Sequence, residues 1–431
     1  MVGTNDIVIT GLGCVSPIGI GREAFWNSLH AGKCGIRLMH CIEGDPMRGD
    51  LRREYFGGVI SDFDGKVYVT PRKALKVMNR EVQTAYSAAH LAWQDAKLAN
   101  AELNADRIGV IYGAEMMPGE IRDLTSAIAN CSEAGEMKFS RWGQQFSKDI
   151  FPLWMLKNLP NMPACHVGIA INAQGPNNTI VQEENSGLQA LIEAAMVIER
   201  DQADVMVVGA VGGRTGAARM IFRLEPIYRN APAPAGIIDG LGLCAPFDES
   251  HCGMIPAEAA ASIVIERRSH AVRRGATIYG ELTGFANRFA MPKKPNTGSR
   301  IAIANAARSA LSMAEIDPGE LAMVAAQGFS HPELDVEESH AIAEVCGDVP
   351  VTAFSSYMGT AGAGSGLIEL IAGVLATTRG VLLPTLGYSK PDPNCPIQVV
   401  SKIAPTTGGD MLKLSFTPFG HAAAVVVRCN N

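Results

Sequence analysis

The sequence predicts an α/β protein of mostly parallel sheets covered by helices. Three observations carry that expectation. Short β-rich apolar runs alternate with longer stretches of helical spacing, the pattern of βαβ units. Hydrophobic residues make up 47% of the 431-residue chain and glycine contributes 45 positions, a composition typical of a packed globular protein. The order of elements in the second part also resembles that in the first, which points to two similar halves packed together.

Each element follows from local pattern. Ile7-Val-Ile-Thr-Gly-Leu-Gly reads as a strand ending in a glycine turn, and Val82 to Leu98 places apolar residues at helical spacing. A strand is expected over Arg107 to Gly113, a helix over Gly187 to Arg200 and a buried strand over Asp204 to Ala210. The theme then repeats with a strand over Thr277 to Phe285, a helix over Arg300 to Met313, a strand over Leu321 to Ala326 and a helix over Val336 to Val345. Ser365 to Thr378 is a helix, and Met411 to Phe416 with Ala422 to Cys429 form a terminal strand pair. The likeness between the parts is one of pattern, without sustained identity. It divides the chain into an N-terminal half, 1–258, and a C-terminal half, 259–431. Two stretches, Arg37 to Arg80 and Glu115 to Asn158, read as surface excursions.

A net charge of −6 gives no electrostatic reason to expect nucleic acid or an anionic membrane as partner. The densest basic stretches, Arg267-Arg268 and Arg273-Arg274, read as a solvated helix face. No signal peptide precedes Ile7, and no apolar run reaches the roughly 18 residues of a membrane helix. The most hydrophobic stretch, Leu367 to Ala376, carries Glu369 inside it. A cytoplasmic protein is expected. The ten cysteines form no CxxC and no cluster with zinc spacing, so free buried thiols are expected, with no metal and no cofactor.

Several stretches in order resemble the β-ketoacyl synthase family. Ile9-Thr-Gly-Leu-Gly-Cys-Val-Ser-Pro-Ile-Gly and Glu23-Ala-Phe-Trp-Asn-Ser-Leu are similar to that family's first strand and helix. Gly175-Pro-Asn-Asn-Thr-Ile is similar to the strand leading to its nucleophile, and Ala203-Asp-Val-Met-Val-Val-Gly, Ala245-Pro-Phe-Asp and Asp335-x-x-Glu338 follow in the expected order. The resemblance covers nearly the whole chain. It implies a thiolase fold: two pseudo-symmetric halves in a five-layered αβαβα arrangement, dimeric, with the strand around Asn178-Thr-Ile paired across a two-fold axis.

Family members condense acyl groups with a cysteine at a helix N-terminus, two histidines and a lysine, in the patterns T-A-C-x-S/A-G, H-G-T and K-x-x-x-G-H. The cysteine thiolate is favoured by the helix dipole and attacks an acyl thioester. Here the first pattern reads Gln182-Glu183-Glu184-Asn185-Ser186-Gly187, so Glu184 takes the cysteine position. Gln327, in Ala326-Gln-Gly-Phe, stands at one histidine position; Ser355 and Thr360, in Ser355-Ser-Tyr-Met-Gly-Thr, stand at the lysine and the other histidine. A carboxylate is a poor acyl acceptor, and Gln and Thr cannot exchange protons near neutral pH as histidine does.

Glu184 has two readings: a structural carboxylate accepting backbone N–H groups at a helix N-terminus, or an acid or base in a different reaction. The lack of histidine or lysine at the aligned positions favours the first. Glu338 matches a family glutamate whose partner is the lysine replaced by Ser355, and is expected to be protonated or to have another donor. His421, in the Gly420-His-Ala turn, is the histidine best placed for a chemical role, ahead of His331 and His340, and it too reads by default as structural. Phe329, Tyr357 and Phe419 either fill an acyl tunnel or belong to the core. Cys165 reads as a buried thiol. Together these features lead to a non-catalytic subunit of fatty-acid or polyketide synthesis, similar to a chain-length factor. Its expected partners are an active ketosynthase or a second copy of itself, and an acyl carrier protein. The alternatives are a homodimeric enzyme with altered acyl-thioester chemistry at Glu184 and an acyl-binding protein.

Overall fold

A computed structural model describes residues 6–39, 55–117, 119–216, 219, 227–229 and 239–429. The fold rests on strands that are apolar on both faces. In the run Val205 to Val211, side chains Met206, Val208 and Ala210 enter a central hydrophobic slab, while Val205, Val207 and Val211 enter an outer one. The terminal strand behaves alike: Ala423, Val425 and Val427 face the central slab, and Ala422, Ala424 and Val426 face a third. Such two-sided burial at period two is what a sheet covered on both faces requires.

The strands of the first half are β1 (Ile7–Ser16), β2 (Ile108–Gly113), β3 (Asn177–Ile180), β4 (Val205–Gly213) and β5 (Glu258–Arg267). They lie in the order β1-β5-β4-β2-β3. Those of the second half are β6 (Gly280–Phe289), β7 (Leu321–Ala326), β8 (Val351–Ala353), β9 (Gly409–Phe416) and β10 (His421–Cys429). Their order is β6-β10-β9-β7-β8. Read from β1 and from β6, both sheets run antiparallel, antiparallel, parallel, parallel. They join where Ile7 to Ile9 pair with Leu282 to Gly280.

Helices complete the layers. α1 (Arg80–Asp95) and α2 (Met162–Ala170) cover the outside of the first sheet; α4 (Arg300–Ala314) and α5 (Pro332–Cys346) cover the outside of the second. Between the sheets lie α3 (Ser186–Glu199) and α6 (Ser365–Thr378), packed on each other. This is the expected five-layered αβαβα arrangement. α6 is buried from Ser365 to Thr377, as a helix enclosed on all sides must be. Its Glu369 is accommodated by the buried Lys413, whose Nζ lies 2.5 Å away.

The duplication extends to detail. β1 and β6 each carry a register shift at a Thr-Gly pair, between Ile9 and Gly11 and between Leu282 and Gly284. The glycine lets a helix approach: a Cβ on Gly11 would lie 2.3 Å from Ala92 O and 2.8 Å from Ala96 Cβ, and one on Gly284 would lie 2.1 Å from Ala310 O and 3.0 Å from Ala314 Cβ. β5, which begins at the expected boundary 258/259, pairs along its length with β1 and β4 of the first sheet.

Most expected elements are present. The strand expected from Thr277 begins at Gly280 instead, with Tyr279 N donating to Ile9 O as the chain enters the sheet. α5 starts at Pro332, before the expected Val336, since proline is suited to the first helical turn. Of the first excursion, residues 40–54 lie outside the described residues, as does Cys41. The second carries helices at Ile121–Cys131 and Trp142–Asp149 around Trp142, Phe146 and Trp154, whose rings meet at 5.6 and 6.2 Å. The described cysteines are free. Arg267 and Arg268 are engaged by Asp201 and Glu281 at 3.0 and 2.5 Å, and Arg274 by Glu266, so they form no open basic patch. Among the described residues no helix is long and apolar enough to cross a membrane.

The glycine contacts give a direct test. Gly11→Ala and Gly284→Ala each force a helix off its sheet and are expected to cost about 1–3 kcal/mol. Gly143→Ala, where a Cβ meets nothing within 4 Å, is expected to be neutral or slightly stabilising. Urea midpoints of the three variants check this.

Candidate functional site

β3 leads through Gln182 into a 3₁₀ turn, Glu183–Asn185, that runs straight into α3. Ser186 shapes the turn: its Oγ accepts the Gln182 N–H at 2.7 Å and donates to Glu183 O at 2.8 Å. Glu183 is held at φ 53°, in the left-handed region. The second half contains the same device. Gly362–Gly364 runs into α6, Ser365 Oγ accepts the Ala361 N–H at 2.8 Å, and Gly362 has φ 58°. A Ser-Gly-Leu tripeptide opens both helices. Glu184, on the first of these turns, is fully buried.

Its charge is met by an arginine that the local sequence does not announce. Arg214, the residue after β4, is also fully buried, and its Nη1 lies 2.5 Å from Glu184 Oε1. Arg214 Nη2 donates to Glu115 Oε1 at 2.6 Å and lies 3.5 Å from Glu183 Oε2. Arg219 then contacts Glu115 at 3.4 Å and Glu81 at 2.6 Å, extending the network to α1. Gly362 makes room for it, since a Cβ there would lie 1.9 Å from Glu115 Oε1 and 2.5 Å from Arg214 Nε. Burial pushes the Glu184 carboxyl up, Arg214 pulls it down and Glu115 pushes it up again, leaving it above its ordinary value. Burial works against the Arg214 charge, but Glu115 and Glu184 outweigh it and hold it above the ordinary guanidinium value. Glu184 stands one residue before the N-cap position of α3, Asn185, which makes no side-chain cap, and its carboxylate meets a backbone N–H as well as the Arg214 guanidinium. A guanidinium stays protonated.

The remaining predicted residues gather beside this turn. Ser415, in β9, has its Oγ 2.8 Å from Gln327 Oε1 and 3.0 Å from Glu184 O, joining the two. Glu338 accepts the N–H of Gln327 at 2.7 Å and of Gly328 at 2.9 Å. Ser355 Oγ donates to Gly328 O at 2.6 Å, so it and Glu338 hold the two peptides that flank the Gly328 Cα. Burial raises the Glu338 carboxyl to about 7, against the pull of those two N–H groups and of Lys413. Lys413 Nζ donates to Ala326 O at 3.1 Å; a cation absent from position 355 thus reaches the neighbourhood from a different strand. Thr360 is fully buried and held by its backbone, between Ile255 O and the Ala257 N–H. Gln327 Nε2 and Thr360 Oγ1 have no hydrogen-bond partner among the described residues.

His421 is brought to the edge of the site. Its Nδ1 lies 2.8 Å from Gln182 Nε2 and its ring 4.7 Å from Phe289, with burial holding its pKa below the ordinary value. His331 sits ahead of α5 and faces Asp335 and Glu333, and His340 lies on α5. Phe329 is fully buried against Phe416, ring centres 5.1 Å apart, and Tyr357 is buried with its hydroxyl on Pro384 O. Phe419 does not join them: it is 52% exposed, because the Gly420 turn carries it outward. Among the described residues no His, Cys, Asp and Glu cluster could hold a metal.

Two outcomes follow. Arg214→Met leaves Glu184 and Glu115 buried beside no charge from that position and is expected to destabilise the fold by about 3–5 kcal/mol; adding Glu184→Gln should cost less than nothing further, restoring part of the loss in urea unfolding. Glu338, raised from 4.5 to about 7, contributes stability that is full below pH 4.5 and lost as pH rises through 7. Glu338→Gln should flatten that part of the stability–pH curve.

Comparison with known proteins identifies the family and the fold. Residues 4–271 match the β-ketoacyl synthase N-terminal domain and residues 279–389 its C-terminal domain. The chain is 31% identical over 437 residues to the tetracenomycin polyketide synthase ketoacyl synthase alpha subunit of Streptomyces glaucescens, covering 98% of this chain and 97% of that one. It is 29% identical over 414 residues to 3-oxoacyl-[acyl-carrier-protein] synthase 2 of Synechocystis, covering 91% and 90%. Among solved structures, a type II polyketide acyl-carrier protein in complex with its ketosynthase superposes with a TM-score of 0.79 at 26% identity, covering 99% of both chains. The ishigamide ketosynthase/chain length factor shares the fold at 22% identity, with a TM-score of 0.83 and 99% of both chains covered. The chain belongs to the β-ketoacyl synthase family and has its thiolase fold.

Proposed function

We propose that this chain is a non-catalytic subunit of fatty-acid or polyketide synthesis that pairs with an active ketosynthase, as a chain-length factor does. The observation that carries this reading is the buried Glu184–Arg214 pair at the position of the family's nucleophile. Glu184, Gln327, Ser355 and Thr360 are all sealed from solvent, and none of them is a thiol, an imidazole or an amine. The pairing also weakens the alternative of altered chemistry at Glu184, since a carboxylate oxygen held 2.5 Å from a buried guanidinium is a poor nucleophile.

Support for a partner comes from the sheet edges. β8, the outer strand of the second sheet, is covered by its own chain: Val351 N donates to Gln398 O and Val400 N donates to Val351 O. β3 is its counterpart in the first sheet, and no described strand pairs along its outer side. Asn177 and Asn178 are exposed there, and Ile169 and Val181 beside them expose apolar side chains. Phe139, Phe151 and Met155 of the second excursion are exposed as well. A bare edge rimmed by apolar groups invites a further strand. Lys66, Arg72, Lys73 and Lys76 form an exposed basic cluster suited to an acidic carrier protein.

Tagged chain co-expressed with β-ketoacyl synthases from its own host should purify as a one-to-one complex, and condensation should require that complex. A chain that stays a homodimer beside every candidate, or that alone condenses or decarboxylates malonyl thioester, would overturn the reading. In the complex, Glu184→Gln should leave the condensation rate within about twofold, because the side chain touches no reacting atom.

A further inference from the structure

His251 stands between two carboxylates at a junction the preceding reading does not use. Its Nδ1 lies 3.0 Å from Asp335 Oδ2 and its Nε2 lies 3.0 Å from Asp392 Oδ2, and all three residues are buried. Asp335 belongs to the first turn of α5, Asp392 to the loop 389–395, and His251 to the segment 245–254 that approaches β5. One imidazole therefore joins three pieces of backbone. Asp335 Oδ2 also accepts the Phe247 N–H at 3.0 Å, while Asp392 Oδ1 accepts the Asn394 N–H at 2.8 Å and its side-chain amide at 2.9 Å. Both aspartates are thus used as acceptors. A neutral imidazole has a single N–H and would set a lone pair against one of them; only the imidazolium donates to both.

We propose that His251 is held as an imidazolium and acts as a charged clasp, fastening the segment 245–254 to α5 and the loop 389–395, and that loss of its proton at alkaline pH releases that segment.

The segment has reason to need fastening. Phe247 is fully buried at φ 64°, a conformation that a bulky side chain resists. Beyond the clasp, Gly253 N donates to Ser330 O at 2.7 Å, and Ser330 itself sits at φ 58°. Met254 then places its Sδ 3.5 Å from Arg214 Nη1. Release would therefore loosen both the loop that follows Gln327 and the seat of Arg214.

The other groups facing the clasp are few. His331, at the head of α5, is held below its ordinary value by burial against the pull of Asp335 and Glu333, so it carries no charge over the range in which the clasp titrates. The Cys395 thiol lies near both aspartates. Asp248 is turned away, onto the N–H groups of Ser389 and Lys390 at 2.7 and 2.6 Å. Burial works against the His251 charge, yet Asp335 and Asp392 outweigh it and hold the ring above 6.5. The sign follows: the clasp's stabilisation is complete below pH 6.5 and is lost as pH rises through the higher folded value.

The test is an NMR titration of full-length protein labelled at histidine ring nitrogens and carbons, with the His251 signal assigned by its absence from His251→Gln. Both ring nitrogens should be protonated at pH 6.5, with a midpoint above that value. Asp392→Asn, which keeps the shape of the side chain, should lower the midpoint by about one pH unit. The fall in urea midpoint that accompanies this titration should be absent in His251→Gln. A ring with one N–H at pH 6, its second proton residing on Asp392, would overturn the clasp. So would a midpoint at or below 6.5, or one that Asp392→Asn leaves unchanged; this last variant keeps the test open if His251→Gln fails to fold.

Discussion

A helix whose first turn is enclosed by protein on every side cannot hand its unpaired N–H groups to water, and that constraint governs the centre of this molecule. α3 and α6 both begin in the slab between the two sheets, and both are entered through a tight 3₁₀ turn fixed by a serine, Ser186 in one and Ser365 in the other. The turns are near neighbours. A Cβ on Gly187 would lie 2.9 Å from Ala363 O, and one on Gly366 would lie 3.5 Å from Glu184 O. Any side chain placed on either turn is therefore addressed by the other half of the molecule. A charge set there has only protein to answer it, and an unanswered charge in such a place costs more than the fold can spare. Glu184 is tolerable because Arg214 arrives from the end of β4; Arg214 is tolerable because Glu115 arrives from the end of β2. Charge at one position has dictated residues on several elements.

This explains which parts of the molecule were legible in the sequence. Strands and helices are written in local periodicity, so Leu321–Ala326 and Ser365–Thr378 stand where the pattern places them. The residues proposed to stand at the family's reactive positions, Glu184, Gln327, Ser355 and Thr360, are equally legible, since they follow from a resemblance of sequence patterns and need no structure. Arg214 was not. It follows two glycines at the end of an ordinary buried strand, and its partners lie far away in sequence, where no periodic signal reaches. Lys413 was missed for the same reason: it is a lysine inside an apolar strand, and only the fold shows that Glu369 and Ala326 O wait for it. The duplication left a fainter trace. Thr10-Gly11 and Thr283-Gly284 occupy equivalent register shifts, and Ser-Gly-Leu opens both central helices, but two and three residues are too few to stand out from chance without the pairing that relates them.

The same interdependence makes the centre resistant to reversal. A thiol at position 184 alone would leave Arg214 facing Glu115 with one carboxylate fewer, in a place where breaking a buried pair is costly. A histidine at position 360 would lie one strand step from that guanidinium, because Thr360 O accepts the Ala257 N–H and Ala257 O accepts the Arg214 N–H. A second cation so near a buried first is disfavoured, and the imidazole would lose the proton that the family's chemistry requires. A lysine at position 355 would meet Gly328 O where the short Ser355 hydroxyl now fits, while Glu338, the partner the family resemblance implies for it, already has both oxygens taken by the Gln327 and Gly328 N–H groups. On the reading proposed above, the family's reactive residues were not lost one by one from an otherwise waiting site. The first buried charge pair changed what every neighbouring position could carry, so neutral hydrogen-bonding side chains at 327, 355 and 360 are what an interior already occupied by Arg214 and its carboxylates admits.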